Sequence, residues 1–330
     1  MRHKYNLVLA TERSRELLEK AGFNQAEIES CVRSWQFGSF TEKYSHGFDR
    51  LPWLIEQVRR KKVNPDGAYP IKTTGNLVRL AGDWSLGYHA VDLLIESMIV
   101  EAPKWPIMMG VITNAYPTGC IGQYAMRLAD EGYVSIFVSS SPARVAPHGG
   151  EKAVFPTLGH AIGLPGKTEH YIYDSSVGRT TNGELQLAAT GATASFEWFD
   201  NRTVIDEETY SGLSDGSVKP DGLTIKVAGG DDGHKFSGLA GALSLLVAGL
   251  TEDIPGSYGN STLILINPSL FAGEDNVRSW TQRLQAEIES SGSDVRFAGQ
   301  SMQAKLKANM DATTVSVSES TKKLLDGILV

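Results

Sequence analysis

Three short, almost uninterrupted apolar runs constrain the fold of this chain more than any other feature. They are the segments Ile107–Ile112, Val134–Val138 and Leu263–Ile266. Runs of this length without polar alternation are typical of strands that are covered on both faces of a sheet. Because helical patterns lie between and around them, the sequence predicts an α/β protein with a buried sheet.

The helices are predicted from apolar residues at helical spacing. The first stripe contains Leu17, Leu18 and Ala21, and Asn24 is expected to cap a second helix through its side-chain oxygen. Further helical patterns cover residues 26–35, 54–58, 87–99, 125–129, 182–189, 239–250, 277–287 and 321–329. By contrast, we expect a turn at Gly82-Asp83, irregular structure at residues 198–200, and a glycine- and aspartate-rich surface stretch at residues 216–233.

Composition excludes several classes of function. The net charge of −7 and the pI near 5.6 argue against a general affinity for nucleic acid or for anionic membranes. The length of 330 residues predicts two or three lobes. Two cysteines in the chain form no disulfide framework or zinc motif, which favours a cytoplasmic protein without a metal site. We see no signal peptide and no apolar run long enough for a membrane span.

The segment Tyr44–Arg50 contains the strongest candidates for catalysis. The imidazole of His46 is suited to proton transfer near neutral pH, and the guanidinium of Arg50 is suited to a carboxylate. Gly47 allows a sharp turn and the close approach of a substrate. If the segment enters a helix, His46 and Arg50 are four residues apart and share one face. The alternative is a helix start with Ser45 as its cap and His46 on the surface.

Three other segments carry polar groups that could bind a ligand. The loop Tyr116–Gly122 joins a strand to a helix, where free amides can bind phosphate, but it lacks GxGxxG and a recognisable βαβ unit. We therefore reject a Rossmann site there. Asp174 follows a predicted strand, where it could orient a histidine, bind a ribose or cap a helix. His234 and Lys235 precede an apolar helix and favour either an anionic ligand or simple solvation.

The order of these segments resembles the malate/L-lactate dehydrogenase family, which has a non-Rossmann NAD(P)-binding fold. This family includes sulfolactate, ureidoglycolate and diketogulonate dehydrogenases and piperideine-2-carboxylate reductase. The resemblance covers nearly the whole chain. Its most specific element is Ser45–Arg50, which matches the family's Ser-His-Gly-x-x-Arg. Further similar segments lie at residues 144–150, 182–185, 233–239 and 295–300.

The resemblance implies a role for each candidate residue. His46 would be the proton donor, Ser45 would tune it, and Arg50 would hold the substrate carboxylate. Asp174 would serve both catalysis and cofactor binding, and His160 would contact the substrate. The other cofactor-binding residues would be Thr118, Gly119, Cys120, Ile121, Gly122, Ser175, Ser176, His234, Lys235, Gly299 and Gln300. The implied cofactor is NAD or NADP, and the substrate is a small 2-oxo or 2-hydroxy acid or, alternatively, a cyclic 2-imino acid.

The resemblance also implies a mixed sheet, a helical lobe built from both chain ends, and a homodimer. We expect residues 1–70 to form the helical lobe, 71–285 the nucleotide- and substrate-binding domain, and 286–330 a segment that returns to the helical lobe. Several positions depart from the family pattern. Asn114–Gly119 lacks the histidine of Asn-x-Asn-His-x-Gly, and Gln300 replaces a glutamate. These departures leave the substrate and the choice of NAD or NADP open, with a lyase, an isomerase or a binding protein on the same scaffold as alternatives.

Overall fold

A computed structural model describes residues 2–191, 194–215, 217–251 and 258–327. These residues form two compact units. The first consists of the described parts of Met1–Phe137, His160–Asp174 and Ser261–Val330, and the second of the described parts of Val138–Gly159 and Ser175–Asn260. The expected division at residues 70 and 285 stays a prediction. In the described ranges, no helix has both the length and the apolar character needed to cross a membrane.

The helices and strands are numbered here in chain order. The helices are α1 (Leu7–Lys20), α2 (Gln25–Phe40), α3 (Arg50–Arg59), α4 (Gly87–Glu101), α5 (Gly122–Asp130), α6 (Asn182–Gly191), α7 (Phe196–Arg202), α8 (Glu207–Asp215), α9 (Gly233–Thr251), α10 (Glu274–Ser290), α11 (Gln300–Asn309) and α12 (Glu319–Leu325). The strands are β1 (Arg2–Asn6), β2 (Ile71–Thr74), β3 (Leu77–Ser85), β4 (Ile107–Ala115), β5 (Val134–Ser139), β6 (Val145–Ala146), β7 (Gly159–Leu164), β8 (Tyr171–Ser175), β9 (Thr203–Val204), β10 (Thr224–Lys226), β11 (Ser261–Ile266) and β12 (Thr314–Ser318).

The main sheet is mixed, and within the described residues its strand order is β2-β3-β4-β11-β5-β7-β8. Strands β3 and β4 are parallel, whereas β4 pairs with β11 in the antiparallel sense. The three apolar runs lie in β4, β11 and β5 at the middle of this sheet, which confirms that they are buried strands. Met108, Leu263 and Phe137 are each at most 1% exposed, and they share a core with residues of α4 such as Leu94.

A second core in the same unit joins the two ends of the chain. Strand β1 pairs with β12 in the antiparallel sense, with His3 opposite Val317. The buried residues of this core come mainly from α1, α2, α3, β12 and α12, with Trp35 and Val317 among them, together with Phe48 before α3 and Tyr88 of α4. The predicted cap at Asn24 is confirmed, since its side chain accepts from the Glu27 amide in a reciprocal capping box. The segment before α3 is therefore anchored between helices from both ends of the chain.

The second unit has its own small sheet and core. Its strands follow the order β6-β10-β9, and β10 is parallel to β6. Ile225 at the centre of β10 is 0% exposed and packs with residues of α6, α7 and α9.

Several expectations about local structure were wrong. Residues 198–200 lie in helix α7, whose first turn is capped by Ser195. The glycine- and aspartate-rich stretch lies largely at the surface, as expected, and contains the short strand β10, in which only Ile225 is buried. Gly82 and Asp83 lie inside β3, where positive φ at Asp83 and Trp84 accompanies a shift of register, so this feature is an irregularity of the strand and not its end. Residues 328 and 329, at the end of the helix expected at 321–329, lie outside the described ranges.

Candidate active site

The segment with His46 bends before it becomes helical. Tyr44–His46 forms one 3-10 turn, Gly47 is extended with φ −91° and ψ −155°, and α3 begins only at Arg50. His46 and Arg50 therefore do not share a helical face, and that expectation was wrong. The alternative of Ser45 as a helix cap was also wrong, because Asp49 is the residue before the first turn of α3 and Ser45 is buried within the preceding turn.

Helix α2 fixes the position of this segment by close backbone contact. A Cβ atom at Gly38 would lie 2.5 Å from the carbonyl carbon of His46 and 2.8 Å from the amide nitrogen of Gly47. The Phe48 amide donates to Ser39 Oγ at 3.3 Å, and the Phe48 ring, 1% exposed, packs edge-on against Trp35. Only glycine at position 38 permits this contact, so the sequence of α2 sets the position of the His46 backbone.

His46 is half-buried, and its amide donates to the carbonyl of Lys43 at 2.8 Å. Burial, together with the cations of Arg50 and Lys43, lowers the pKa of its imidazole to about 4, although the carboxylate of Asp174 acts in the opposite direction. The imidazole is consequently neutral at pH 7. In this form it can accept a proton from a substrate hydroxyl group.

Asp174 lies in the same cluster as His46. It forms an ion pair with Lys43, and the thiol of Cys120 donates to its Oδ2 at 3.4 Å. Burial and the charge of Asp174 raise the pKa of the Cys120 thiol to about 12. Burial disfavours the charged form of Lys43, but Cys120 and Asp174 outweigh it and raise the pKa of the Lys43 ammonium. Lys43 and Asp174 are therefore held as a charged pair next to His46.

Arg50 is held by aromatic side chains. Its guanidinium stacks on the Trp53 ring at 3.6 Å and hydrogen-bonds the hydroxyl group of Tyr88. The Trp53 ring is itself 5.5 Å from the ring of Tyr116, in an edge-to-face arrangement. Trp35 Nε1 donates to the Tyr88 hydroxyl at 3.2 Å. These contacts orient the planar fork of Arg50, which can bind a carboxylate through paired donors.

Sequence reasoning missed Lys43, Trp53, Tyr88 and Tyr116 as members of this cluster. The spacing of Arg50 and Trp53, three residues apart at the start of a helix, was a signal that could have found Trp53. Lys43 directly precedes the motif, but nothing in the sequence indicated its pairing with Asp174, and Tyr88 and Tyr116 reach the cluster from other segments.

The loop Thr118–Gly122 is packed tightly against other parts of its own unit. Cys120 and Ile121 are 3% and 4% exposed. A Cβ at Gly119 would lie 2.7 Å from Ser34 Oγ, and one at Gly122 would lie 2.6 Å from Asp174 Oδ2. The loop joins β4 to α5, and β5 follows in the same sheet, with β11 between β4 and β5. Its role in cofactor binding stays a prediction.

Three further predicted residues lie elsewhere in the first unit. His160 is 6% exposed in β7, with its ring 5.5 Å from that of Tyr173. Gly299, at φ +91°, precedes α11 and packs so closely on Ile172 that a Cβ would lie 2.9 Å from the Ile172 Cβ. The Gln300 side chain donates to Glu289 at 2.5 Å, while its buried Oε1 has no hydrogen-bond partner in the described part of the chain.

The remaining predicted residues lie in the second unit. Ser175 and Ser176 donate to nearby carbonyls at 3.3 and 3.4 Å. His234 and Lys235 are exposed on the first turn of α9, and Lys235 pairs with Asp232 at 2.8 Å. Two glycines with positive φ, at positions 229 and 230, precede this turn. Among the described residues, no group of three or more His, Cys, Asp or Glu side chains could hold a metal ion.

Comparisons with known proteins point to one family. The family model described as malate/L-lactate dehydrogenase matches residues 9–325. A (2R)-3-sulfolactate dehydrogenase (NADP(+)) from Chromohalobacter salexigens is 28% identical over 172 residues, which are 52% of this chain and 52% of that protein. A Δ1-pyrroline-2-carboxylate/Δ1-piperideine-2-carboxylate reductase from Pseudomonas aeruginosa is 24% identical over 273 residues, which are 78% of this chain and 79% of that protein. The first of these matches thus spans only about half of the relative's length.

Solved structures of similar fold cover almost the whole chain. A dehydrogenase from Sinorhizobium meliloti has a TM-score of 0.84 at 22% identity, with 99% of this chain and 98% of that chain covered. A Δ1-piperideine-2-carboxylate reductase from Pseudomonas syringae has a TM-score of 0.83 at 17% identity, with 99% and 100% covered. At these identities the likeness concerns the fold, and it agrees with the mixed α/β architecture expected from the sequence.

Proposed function

The chain belongs to the malate/L-lactate dehydrogenase family, and we propose that it is an NAD(P)-dependent oxidoreductase acting at C2 of a small 2-oxo or 2-hydroxy acid. The observation that carries this proposal is the cluster of His46, Arg50, Lys43 and Asp174. In this cluster the imidazole of His46 can transfer a proton, and the positive charge of the Arg50 guanidinium lowers the pKa of that imidazole. The names of the relatives, among them dehydrogenases of sulfolactate and malate, support the same reaction class.

Each side chain has a task in this reaction. Arg50 binds the substrate carboxylate and thereby orients C2 toward His46. His46 donates a proton to the oxygen on C2 during reduction and accepts it during oxidation. A bound nicotinamide supplies or accepts the hydride. The substrate carboxylate offsets the positive charge of Arg50, which lowers the pKa of His46. Substrate binding therefore favours the protonated imidazole, which is the form that donates a proton during reduction.

Two predicted segments, each considered within its own unit, carry groups that suit a nucleotide. His234 and Lys235 are exposed on the first turn of α9, where backbone amides can bind a phosphate group, although Lys235 pairs with Asp232. In the other unit, the buried and unsatisfied Oε1 of Gln300 can accept a hydrogen bond from a ribose hydroxyl or an amide. We propose that Gln300 contacts the cofactor within the first unit. The tight packing of Thr118–Gly122 leaves that loop less suited to a phosphate.

Titration of the purified protein with NADH and with NADPH, followed by nicotinamide fluorescence, tests the cofactor. We expect saturable binding of at least one of them. If folded protein binds neither, the oxidoreductase proposal is wrong, and a lyase, an isomerase or a binding protein becomes the better hypothesis.

The variant His46→Ala tests the role of the histidine. General acid–base catalysis contributes about 10²–10⁴-fold to a rate, so we expect turnover to fall by that factor while cofactor affinity stays unchanged. His3→Ala is the control, since His3 pairs with Glu319 outside the cluster. Turnover at the wild-type level in His46→Ala would exclude His46 as the proton-transfer group.

A cyclic 2-imino acid is the second candidate substrate. It would be reduced at the same C2 position, with the proton going to nitrogen. The match to a Δ1-pyrroline-2-carboxylate/Δ1-piperideine-2-carboxylate reductase supports this candidate, as do the aromatic rings of Trp53 and Tyr116 beside Arg50. Parallel assays with pyruvate and with Δ1-piperideine-2-carboxylate separate the two candidates.

We also propose that the protein works as a homodimer in the cytoplasm. The two buried free cysteines, Cys31 and Cys120, are compatible with a reducing compartment. Exposed apolar side chains such as Leu245 and Trp280, 66% and 58% exposed, are compatible with a subunit interface. Light scattering of the eluting protein measures the mass, and the mass of a monomer would refute the dimer.

A further inference from the structure

We infer that this site selects substrates with one carboxylate and an uncharged remainder over substrates that carry a second anionic group. The inference rests on the proposed function and narrows its substrate class. It favours simple 2-oxo acids and cyclic 2-imino acids over dianions of the malate or sulfolactate type.

The charges around the proton-transfer group favour a substrate with a single negative charge. The charged side chains that act on His46 are the cations of Arg50 and Lys43 and the carboxylate of Asp174. These three groups leave a surplus of one positive charge. One substrate carboxylate neutralises that surplus, and a second anionic group would make the cluster negative in a partly buried site, where like charges repel more strongly than in water.

Two further cations of the first unit, Lys43 and Arg2, already pair with carboxylates of the protein. The ammonium of Lys43 forms an ion pair with Asp174. The guanidinium of Arg2, which stacks on Tyr44 at 3.7 Å, forms an ion pair with Asp49 at 2.8 Å. To bind a second anionic group, either cation would have to leave its carboxylate. Breaking such a pair leaves a charge uncompensated, which is costly where the pair is buried.

The surface beside Arg50 is aromatic. Trp53 lies against the guanidinium, and Tyr116 packs on Trp53. Both side chains are half-buried, so each presents some ring surface. Aromatic rings favour apolar groups and offer a charged carboxylate or sulfonate no compensation for lost hydration. A methyl, methylene or ring group next to the substrate carboxylate therefore suits this surface.

A pair of substrates with the same carbon skeleton tests the inference. Oxaloacetate carries a carboxylate where 2-oxobutyrate carries a methyl group, and otherwise the two molecules match. We expect kcat/KM for 2-oxobutyrate to exceed that for oxaloacetate by about 100-fold. Equal values, or a preference for oxaloacetate, would overturn the inference while the oxidoreductase proposal stands. Absence of nicotinamide binding would instead overturn the oxidoreductase proposal.

The variant Asp174→Asn tests the charge argument directly. It removes the carboxylate that neutralises Lys43, so the surplus rises by one positive charge. We expect the preference for 2-oxobutyrate over oxaloacetate to shrink by at least about 10-fold, even if both activities fall. Asp130→Asn is the matched control, because Asp130 pairs with His170 and does not act on His46. An unchanged preference in Asp174→Asn would show that charge at this cluster does not set specificity.

The variant Tyr116→Phe tests the aromatic surface separately, since it keeps the ring. We expect it to retain the preference for 2-oxobutyrate. Tyr116→Arg adds a cation at the same position and should move the preference toward oxaloacetate. If Tyr116→Arg does not fold, the wild-type comparison of the two substrates still decides the inference.

Discussion

The guanidinium of Arg2 lies 2.8 Å from Oδ2 of Asp49 and stacks on the ring of Tyr44 at 3.7 Å. The other carboxylate oxygen of Asp49 accepts from the amide of Ser318 at 2.8 Å and from the hydroxyl of Thr321 at 2.7 Å. One buried carboxylate thus connects β1, the end of β12, the start of α12 and the residue before α3. Because Tyr44 and Asp49 flank His46 in the sequence, these contacts position the proton-transfer segment from both sides.

The variant Asp49→Ala should therefore destabilise the protein. It leaves the Ser318 amide and the Thr321 hydroxyl without their acceptor and removes the partner of Arg2. We expect the free energy of unfolding to fall by about 2–4 kcal/mol, as measured by urea denaturation. Glu56→Gln is the control, since Glu56 forms an exposed pair with Arg60 and should have no measurable effect. A loss below about 0.5 kcal/mol in Asp49→Ala would contradict this account.

Gly38→Ala should disturb catalysis from outside the site. The added Cβ would lie 2.8 Å from the Gly47 amide nitrogen, so α2 or the His46 backbone must move. We expect a loss of about 1–3 kcal/mol in stability and a lower kcat, with the NADH affinity retained. Gly241→Ala is the matched control, because a Cβ at that helical position meets nothing within 4 Å and should stabilise α9. Wild-type kinetics in Gly38→Ala would show that this contact does not position His46.

The sequence predicted the centre of the fold well and its margins poorly. The apolar runs of β4, β5 and β11 are recognisable because burial on both faces removes polar alternation. Strands β1 and β12 were missed, although Val315 and Val317 of β12, which alternate with polar residues and are buried, carry the period of a strand. Their pairing joins residues more than 300 positions apart. No local pattern specifies such a pairing.

For the candidate site, the sequence identified the residues and not their arrangement. The motif Ser45–Arg50 was found because its residue types are chemically distinctive. The geometry within it depends on the extended backbone of Gly47, which is set by the contact between α2 and this segment. The proximity of Asp174 and Lys43 is a tertiary contact over 131 positions. The sequence pattern places Asp174 at the end of a strand but carries no sign of its partner Lys43.

The two cysteines should be unreactive in the folded protein. Cys31 and Cys120 are 0% and 3% exposed, and burial raises the pKa of both thiols. Because the thiolate is the reactive form, a chromogenic disulfide reagent at about pH 8 should label neither cysteine until denaturant is added. In denaturant, two thiols per chain should react. Rapid labelling of the native protein would show that the Cys120 region opens in solution.

The pH dependence of the oxidation reaction should follow the ionisation of His46. Oxidation requires the neutral imidazole, and burial together with the cations of Arg50 and Lys43 lowers its pKa to about 4. We therefore expect kcat/KM for oxidation of the hydroxy acid to be constant near neutral pH and to fall only as the pH approaches about 4. A fall centred near 6.5 would indicate a histidine with an ordinary pKa.

Two variants should shift the fall of kcat/KM at acidic pH, here called the acidic limb, in opposite directions. Lys43 lowers the pKa of His46, so Lys43→Met should shift the limb to higher pH. Asp174 raises the pKa of His46, so Asp174→Asn should shift the limb to lower pH. The profile of kcat/KM against pH for each variant measures the shift without requiring full activity. If both limbs move in the same direction, the titrating group is not the imidazole between these two charges, and His46 loses its assignment as the base.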